Sequence, residues 1–248
     1  MINPRLLFPT VTVFISFIIT ILCLFAGTQK NFLENVDLLT LYTPEGSIDS
    51  SAHDFYSVHI MSYCQGTLGA SDPSAGVTRN VTDCSHRKIL FSFDPTQEWP
   101  EVSHGSELEW PRVISDDFHA FRMTTRSMAV LYCIGVGAMG AALLVKVWTA
   151  IAPRAGQGKI ECGFIMLGTL SVSVASIIAT VIAFEFVALI NAHGKGSNVS
   201  AKYGEKLLGM TWAAVGLLLV GSVACFVNVF VRGPAPPPPM EKEMDIEG

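Results

Sequence analysis

Four apolar runs constrain this chain more than any other feature, because each is long enough to cross a bilayer, which takes about 20 residues of helix. They cover residues 6–26, 127–149, 163–190 and 207–231. Half of all residues (50%) are hydrophobic and only 15% charged, and the mean hydropathy is +0.44, well outside the range of an ordinary soluble domain. The expected architecture is an all-α transmembrane four-helix bundle. Only the first connection, residues 27–126, is long enough to hold a domain of its own, and the net charge of −5 is concentrated there and in the final residues. A chain charged in this way is a poor match for nucleic acid.

The first run, preceded by a polar start at residues 1–5, competes with a cleaved leader. A leader core runs 7–15 residues, and Leu24-Phe25-Ala26 is a poor small-residue cleavage site, so a retained helix is expected, with Pro9 in its first turn. The long connection then alternates apolar runs with Gly, Ser, Asp and Pro clusters. Residues 36–42, 55–64 and 88–93 read as strands of a small antiparallel sheet. Beyond Phe93-Asp94-Pro95 the chain turns acidic and irregular, until Ile114, Phe118 and Phe121 announce a helix that projects beyond the second span.

Of the six cysteines, Cys23, Cys133 and Cys225 lie in apolar runs and Cys162 at the edge of one, which leaves Cys64 and Cys84 together in a hydrophilic segment. They form the natural disulfide pair, with two free thiols as the alternative. Closing a loop of that size restricts the unfolded chain by about 3 kcal/mol. Two glycosylation sequons, at Asn80 and Asn198, fall in polar segments on the same side of the expected topology. Positive charge does not decide the orientation: Arg5, Lys146, Arg154, Lys159 and Arg232 flank the spans on one side, and Lys30, Arg122, Arg126, Lys195, Lys202 and Lys206 on the other. The sequons and the cysteine pair do decide it, because both belong to an oxidising compartment. Both termini, the basic turn at residues 150–162 and the tail at 232–248 are therefore expected in the cytoplasm, and residues 27–126 and 191–206 outside.

Within the spans, small residues mark the expected packing faces: Gly137 with Ala141, the ridge Ser171, Ala175, Ala179 and Ala183, and Gly209 with Ala213. Such spacing lets helix backbones approach closely. A tight bundle is implied, with lateral association through one ridge as a further option. Glu185 is the one acidic residue inside an otherwise apolar span. A charge in that position suggests function, but Glu185 lies about 7 Å from the end of its run, within reach of headgroups or of Arg122 or Arg126. A structural role is the preferred reading, and an ion or proton role the alternative.

No nucleophile motif, phosphate loop or metal-spaced cluster is present, so neither an enzyme nor a cofactor is expected. The six histidines are scattered. His53 and His59 are read as solvated loop residues, with metal binding as the less favoured alternative. The Pro-rich acidic tail reads as an extended spacer, with an SH3 or WW ligand as the alternative.

The four spans, the aromatic-Cys element Tyr63-Cys64-Gln65-Gly66 with Cys84 after it, the tight inner turn and the polar tail together resemble the fungal Sur-seven/PalI family of claudin-like membrane proteins. That resemblance implies Cys64 and Cys84 as the loop's bridge, with Tyr63 packed beside it. It also implies a plasma-membrane organiser of the cell cortex, of the eisosome type linked to cell wall and endocytosis, or in the PalI branch a subunit of an ambient-pH sensing complex. A channel or transporter subunit using Glu185 is the third reading. Claudins place Trp before the first cysteine, whereas Trp99 and Trp110 here follow Cys84, which argues against a paracellular barrier. PalI-type members look like proteins with long tails, and 17 residues follow Val231 here, which favours the cortical branch. The expected partners are membrane lipids, other copies or other membrane proteins, and cell-wall components.

Overall fold

A computed structural model describes residues 4–29, 32–42, 54–69, 79–86, 112–152, 156–193 and 199–231. Four helices are long and apolar enough to cross a membrane: α1 (Pro4–Phe25), α2 (Arg112–Ile151), α3 (Gln157–His193) and α4 (Glu205–Phe226), the last continued by a π-helical turn, Val227–Val231. Pro4 opens α1, where its missing N–H costs no hydrogen bond, so Pro9 lies in the second turn rather than the first. With 40 residues, α2 is about 60 Å long, twice the hydrocarbon thickness. Its first turns, which hold Ile114, Phe118 and Phe121, project beyond the span as expected.

The helices form a ring in which α2 packs on α3, α3 on α4, α4 on α1 and α1 on α2. The α3 ridge of Ser171, Ala175, Ala179 and Ala183 is buried along its length. The other two small pairs are corrected by the structure. Gly137, Gly209 and Ala213 face outward, Ala141 is half-buried, and a Cβ on Gly137 or Gly209 would meet nothing within 4 Å. The inward glycines are one helical face away. A Cβ on Gly135 would stand 2.5 Å from Val172 Cγ2, and one on Gly221 2.6 Å from Thr12 Oγ1. Two residues advance a helix by about 200°, so a small-residue pair read without the apolar phase around it points to the wrong side.

Polar rungs tie the bundle together. Tyr132 Oη lies 3.1 Å from Ser176 Oγ, Thr169 Oγ1 lies 2.6 Å from Ser222 Oγ, and Ser16 Oγ donates to the Ala214 carbonyl at 3.2 Å. Hydroxyls paired in this way satisfy each other across helices where no water is at hand.

Five antiparallel strands stand at one end of the bundle: β1 (Leu39–Tyr42), β2 (Phe55–Val58), β3 (Tyr63–Leu68), β4 (Arg79–Cys84) and β5 (Ser200–Tyr203), in the order β4-β3-β2-β1-β5. The single strand expected over residues 55–64 is instead a hairpin, turned at residues 59–62 and closed by His59 N–H to the Ser62 carbonyl at 2.8 Å. The expected strand at 88–93, the acidic stretch, Asn198 and the Pro-rich tail lie outside the described residues. Strand β5 was not expected. It comes from the connection between α3 and α4 and pairs Leu39 with Tyr203 and Tyr42 with Ser200, so this connection and the one between α1 and α2 build one sheet.

Candidate functional site

The sheet alternates its side chains between two faces. Leu39, Leu41, Tyr56, Val58 and Ala201 pack against Phe186, Val187 and Ile190 of α3. On the opposite face Phe55, Cys64 and Val81 form a second cluster with Tyr42, Leu68 and Cys84. The last turns of α3 are therefore the floor of the sheet. Glu185 lies in the same turns. It is exposed, between Phe184, whose ring sits 4.9 Å from that of Tyr203, and Phe186, which is buried under the sheet. Glu185 thus stands next to the residues of α3 that pack on the sheet. It forms no ion pair with Arg126, whose Nε is buried without a partner, and the side chain of Arg122 lies outside the described residues.

Cys64 and Cys84 face each other across β3 and β4 and are bridged, with sulfurs 2.08 Å and Cα atoms 4.0 Å apart. Tyr63, beside the bridge, is half-buried against the α3 face of the sheet. At the far edge of the sheet from the bridge, Asn191 of α3 acts as one more rung to β5: its Nδ2 donates to the Ala201 carbonyl at 3.0 Å and its Oδ1 accepts from Ala201 N–H at 2.9 Å. The amide supplies the pairing that a neighbouring strand would give. On β4, Asn80 is exposed and the hydroxyl of Thr82, the other end of its sequon, donates to the Gln65 carbonyl at 3.1 Å.

The joint between sheet and bundle is the most elaborated place in the molecule. The tip of the β2–β3 hairpin enters the helix ends: Ile60 and Met61 are buried in one cluster with Cys23, Leu24, Ala26, Val36, Leu38 and Met128. Ser62 Oγ donates to the Gly27 carbonyl at 2.8 Å. Gly27, just past α1, has φ +67, and a Cβ there would lie 2.2 Å from His59 Cδ2. The His59 ring thus occupies the space that any other residue at Gly27 would fill. His59 is 1% exposed and so is not the solvated loop residue expected. Its Nδ1 lies 2.9 Å from the Val36 carbonyl, so Nδ1 carries the proton and Nε2, 3.4 Å from Ser57 Oγ, is left as acceptor. Burial lowers the pKa of His59 from its ordinary 6.5, opposed by the charge of Asp37 and by the bond to Val36.

Asp37, 5% exposed, anchors the rest of this network. It accepts from Thr40 Oγ1 and pairs with Arg79 Nη1 at 3.7 Å. Arg79 reaches over the sheet from β4, with its guanidinium 5.6 Å from the centre of the Tyr42 ring and 5.8 Å from that of Phe55, and Nη2 donates to Tyr42 Oη at 2.5 Å. An arginine stacked on aromatic rings and paired to a buried carboxylate is a fixed brace. At the other end of the bundle, Lys146 Nζ lies 3.3 Å from Glu161 Oε1, joining α2 to α3 beside the tight turn.

Sequence reasoning passed over Gly27, Asp37, His59 as a buried group, Arg79 and Asn191. Two carried a signal. Asp37 and His59 interrupt the apolar runs Val36-Asp37-Leu38-Leu39 and Val58-His59-Ile60-Met61, where a polar residue is either wrongly placed or specifically paired. Among the described residues no three His, Cys, Asp or Glu side chains gather to hold a metal, and His53 lies outside them. The model of the SUR7/PalI family matches residues 5–224 of the chain. Among curated proteins, no match is found.

Proposed function

The chain belongs to the SUR7/PalI family, and from that premise we propose that it is a non-enzymatic organiser of the plasma membrane at the cell cortex, with both termini in the cytoplasm and the sheet outside. The observation that carries this reading is the joint. A disulfide-bridged sheet braced by Asp37 and Arg79 is plugged into the helix ends through Ile60, Met61, His59 and Ser62. A rigid coupling of that kind suits a scaffold that transmits contacts outside the cell, with wall components or neighbouring proteins, to lateral association in the membrane. Glu185 is exposed, next to the residues of α3 that pack on the sheet, a poor position for a group lining an ion path, which normally faces the bundle interior. The organiser reading is therefore preferred to a channel that uses Glu185.

Fluorescence imaging of a tagged full-length copy in living cells tests the proposal. Stationary patches of the unaltered protein at the plasma membrane are expected. A uniform or internal distribution, or a deletion whose sole effect is lost growth at alkaline pH, would instead assign the chain to the ambient-pH branch of the family.

A further inference from the structure

We propose that glycosyl transfer to Asn80 must precede the docking of β4 on β3, and that closure of the Cys64–Cys84 bridge ends the period in which Asn80 accepts a glycan. The proposal rests on the outward-facing sheet of the organiser reading and adds to it an order of maturation. Three features of β4 carry it. The sequon Asn80-Val81-Thr82 lies inside the strand, with Asn80 opposite Thr67 and Val81 opposite Gly66, so tightly that a Cβ on Gly66 would run into the Asn80 carbonyl oxygen. The Thr82 hydroxyl, the second group by which such an acceptor is recognised, donates to the Gln65 carbonyl at 3.1 Å. Two residues further on, Cys84 is joined to Cys64.

Exposure of the Asn80 side chain is therefore not sufficient. A transferase takes its acceptor as a single extended chain, with backbone and hydroxyl free to bond inside its own groove, and in the sheet both are engaged. Among the described residues β4 is an edge strand, and an edge held by hydrogen bonds alone opens by local unfolding. The bridge removes that route. A covalent tie two residues beyond Thr82 holds the strand against β3 and restricts how far it can be drawn away.

The two reactions meet in one segment. Transfer breaks the bond between the anomeric carbon of a lipid-linked oligosaccharide and its diphosphate, joins that carbon to Asn80 Nδ2, and releases an amide proton with the lipid diphosphate. Oxidation joins the two sulfurs and passes two electrons and two protons to the disulfide of an oxidoreductase, which becomes a dithiol. Their order is asymmetric. A glycan already in place leaves the bridge free to form, because Asn80 is exposed in the finished sheet, whereas a bridge already in place excludes the glycan.

Pulse–chase labelling of the full chain tests this, in an Asn198→Gln background that leaves Asn80 as the one sequon. A reversible inhibitor of the transferase is present during the pulse and washed out for the chase, with export from the endoplasmic reticulum blocked throughout and the bridge followed on non-reducing gels. Bridged chains should keep their unglycosylated mobility through the chase. Chains carrying Cys64→Ser with Cys84→Ser, and bridged chains chased in dithiothreitol, should shift by one glycan, and without inhibitor every form should carry it. A bridged chain that gains the glycan during the chase overturns the order while leaving the outward sheet standing. A double cysteine variant that gains none also overturns it, since the bridge is then not what closes the site. Chains that stay unglycosylated even without inhibitor contradict the outward sheet itself, and the proposal falls with it.

Discussion

The contact between Gly27 and the His59 ring leaves no room for a side chain, and the residue's φ of +67 is costly for any L-residue. Gly27→Ala should therefore destabilise the outer domain by about 2 kcal/mol or more. Gly156, with φ +90 but nothing within 4 Å of a Cβ, should lose only the backbone share of about 1 kcal/mol on the same change. Thermal unfolding of the purified chain in detergent compares the two, and equal losses would mean that the His59 contact contributes nothing. The helix glycines form a second pair. Gly137→Ala should be neutral or slightly stabilising, because alanine is the better helix former by about 1 kcal/mol. Gly135→Ala forces α2 off Val172 of α3 and should be clearly damaging. A harmful Gly137→Ala with a tolerated Gly135→Ala would show that the outward face carries a contact with another protein.

Among the elements, the sheet depends on its two ties, the Cys64–Cys84 bridge and the Asn191 rung. Cys64→Ser and the double change Cys64→Ser with Cys84→Ser remove the same constraint, so each should cost about 2–5 kcal/mol and hold the protein in the secretory pathway. Normal surface delivery of both, with identical mobility on reducing and non-reducing gels, would leave the bridge without a role. Asn191→Ala removes both hydrogen bonds that its side chain makes to the Ala201 backbone and should cost about 1–3 kcal/mol through the unpaired backbone groups, read as faster hydrogen exchange in β5. Length and polarity alone reveal the four helices, since 20-residue apolar runs have few other uses. The bridge is equally legible, because only Cys64 and Cys84 sit in polar sequence. Strand β5 is hidden for a physical reason: at four residues, with only Ala201 fully buried in its pattern, it is held by β1 and Asn191 rather than by its own composition. The hairpin within residues 55–64 is hidden too, since its turn is made of Ile60 and Met61, apolar because the tip enters the bundle and not because the strand continues.

At the scale of the whole molecule, one arrangement follows from these parts: a bundle tied across by Tyr132, Ser176, Thr169 and Ser222 carries a sheet that the α1–α2 and α3–α4 connections build and that the last turns of α3 support. Asn80 on β4 is exposed, so a sheet on the outer side, as proposed, would offer it to the glycosylation machinery. Asn80→Gln should sharpen the protein on a gel as glycosidase treatment does, and an unchanged mobility would count against an outward sheet. Membership of the SUR7/PalI family was legible from the spans and the Tyr63-Cys64-Gln65-Gly66 element, but the joint at Gly27, Asp37, His59 and Arg79 was not, because it gathers residues distant in sequence that chemistry alone does not group. The proposed role depends on which side the sheet faces. Protease treatment of intact, wall-stripped cells carrying a C-terminal epitope tag tests that most directly. The expected result is a tag that resists digestion until the membrane is permeabilised, while a tag digested on intact cells would put the sheet in the cytoplasm and contradict the outward-facing scaffold.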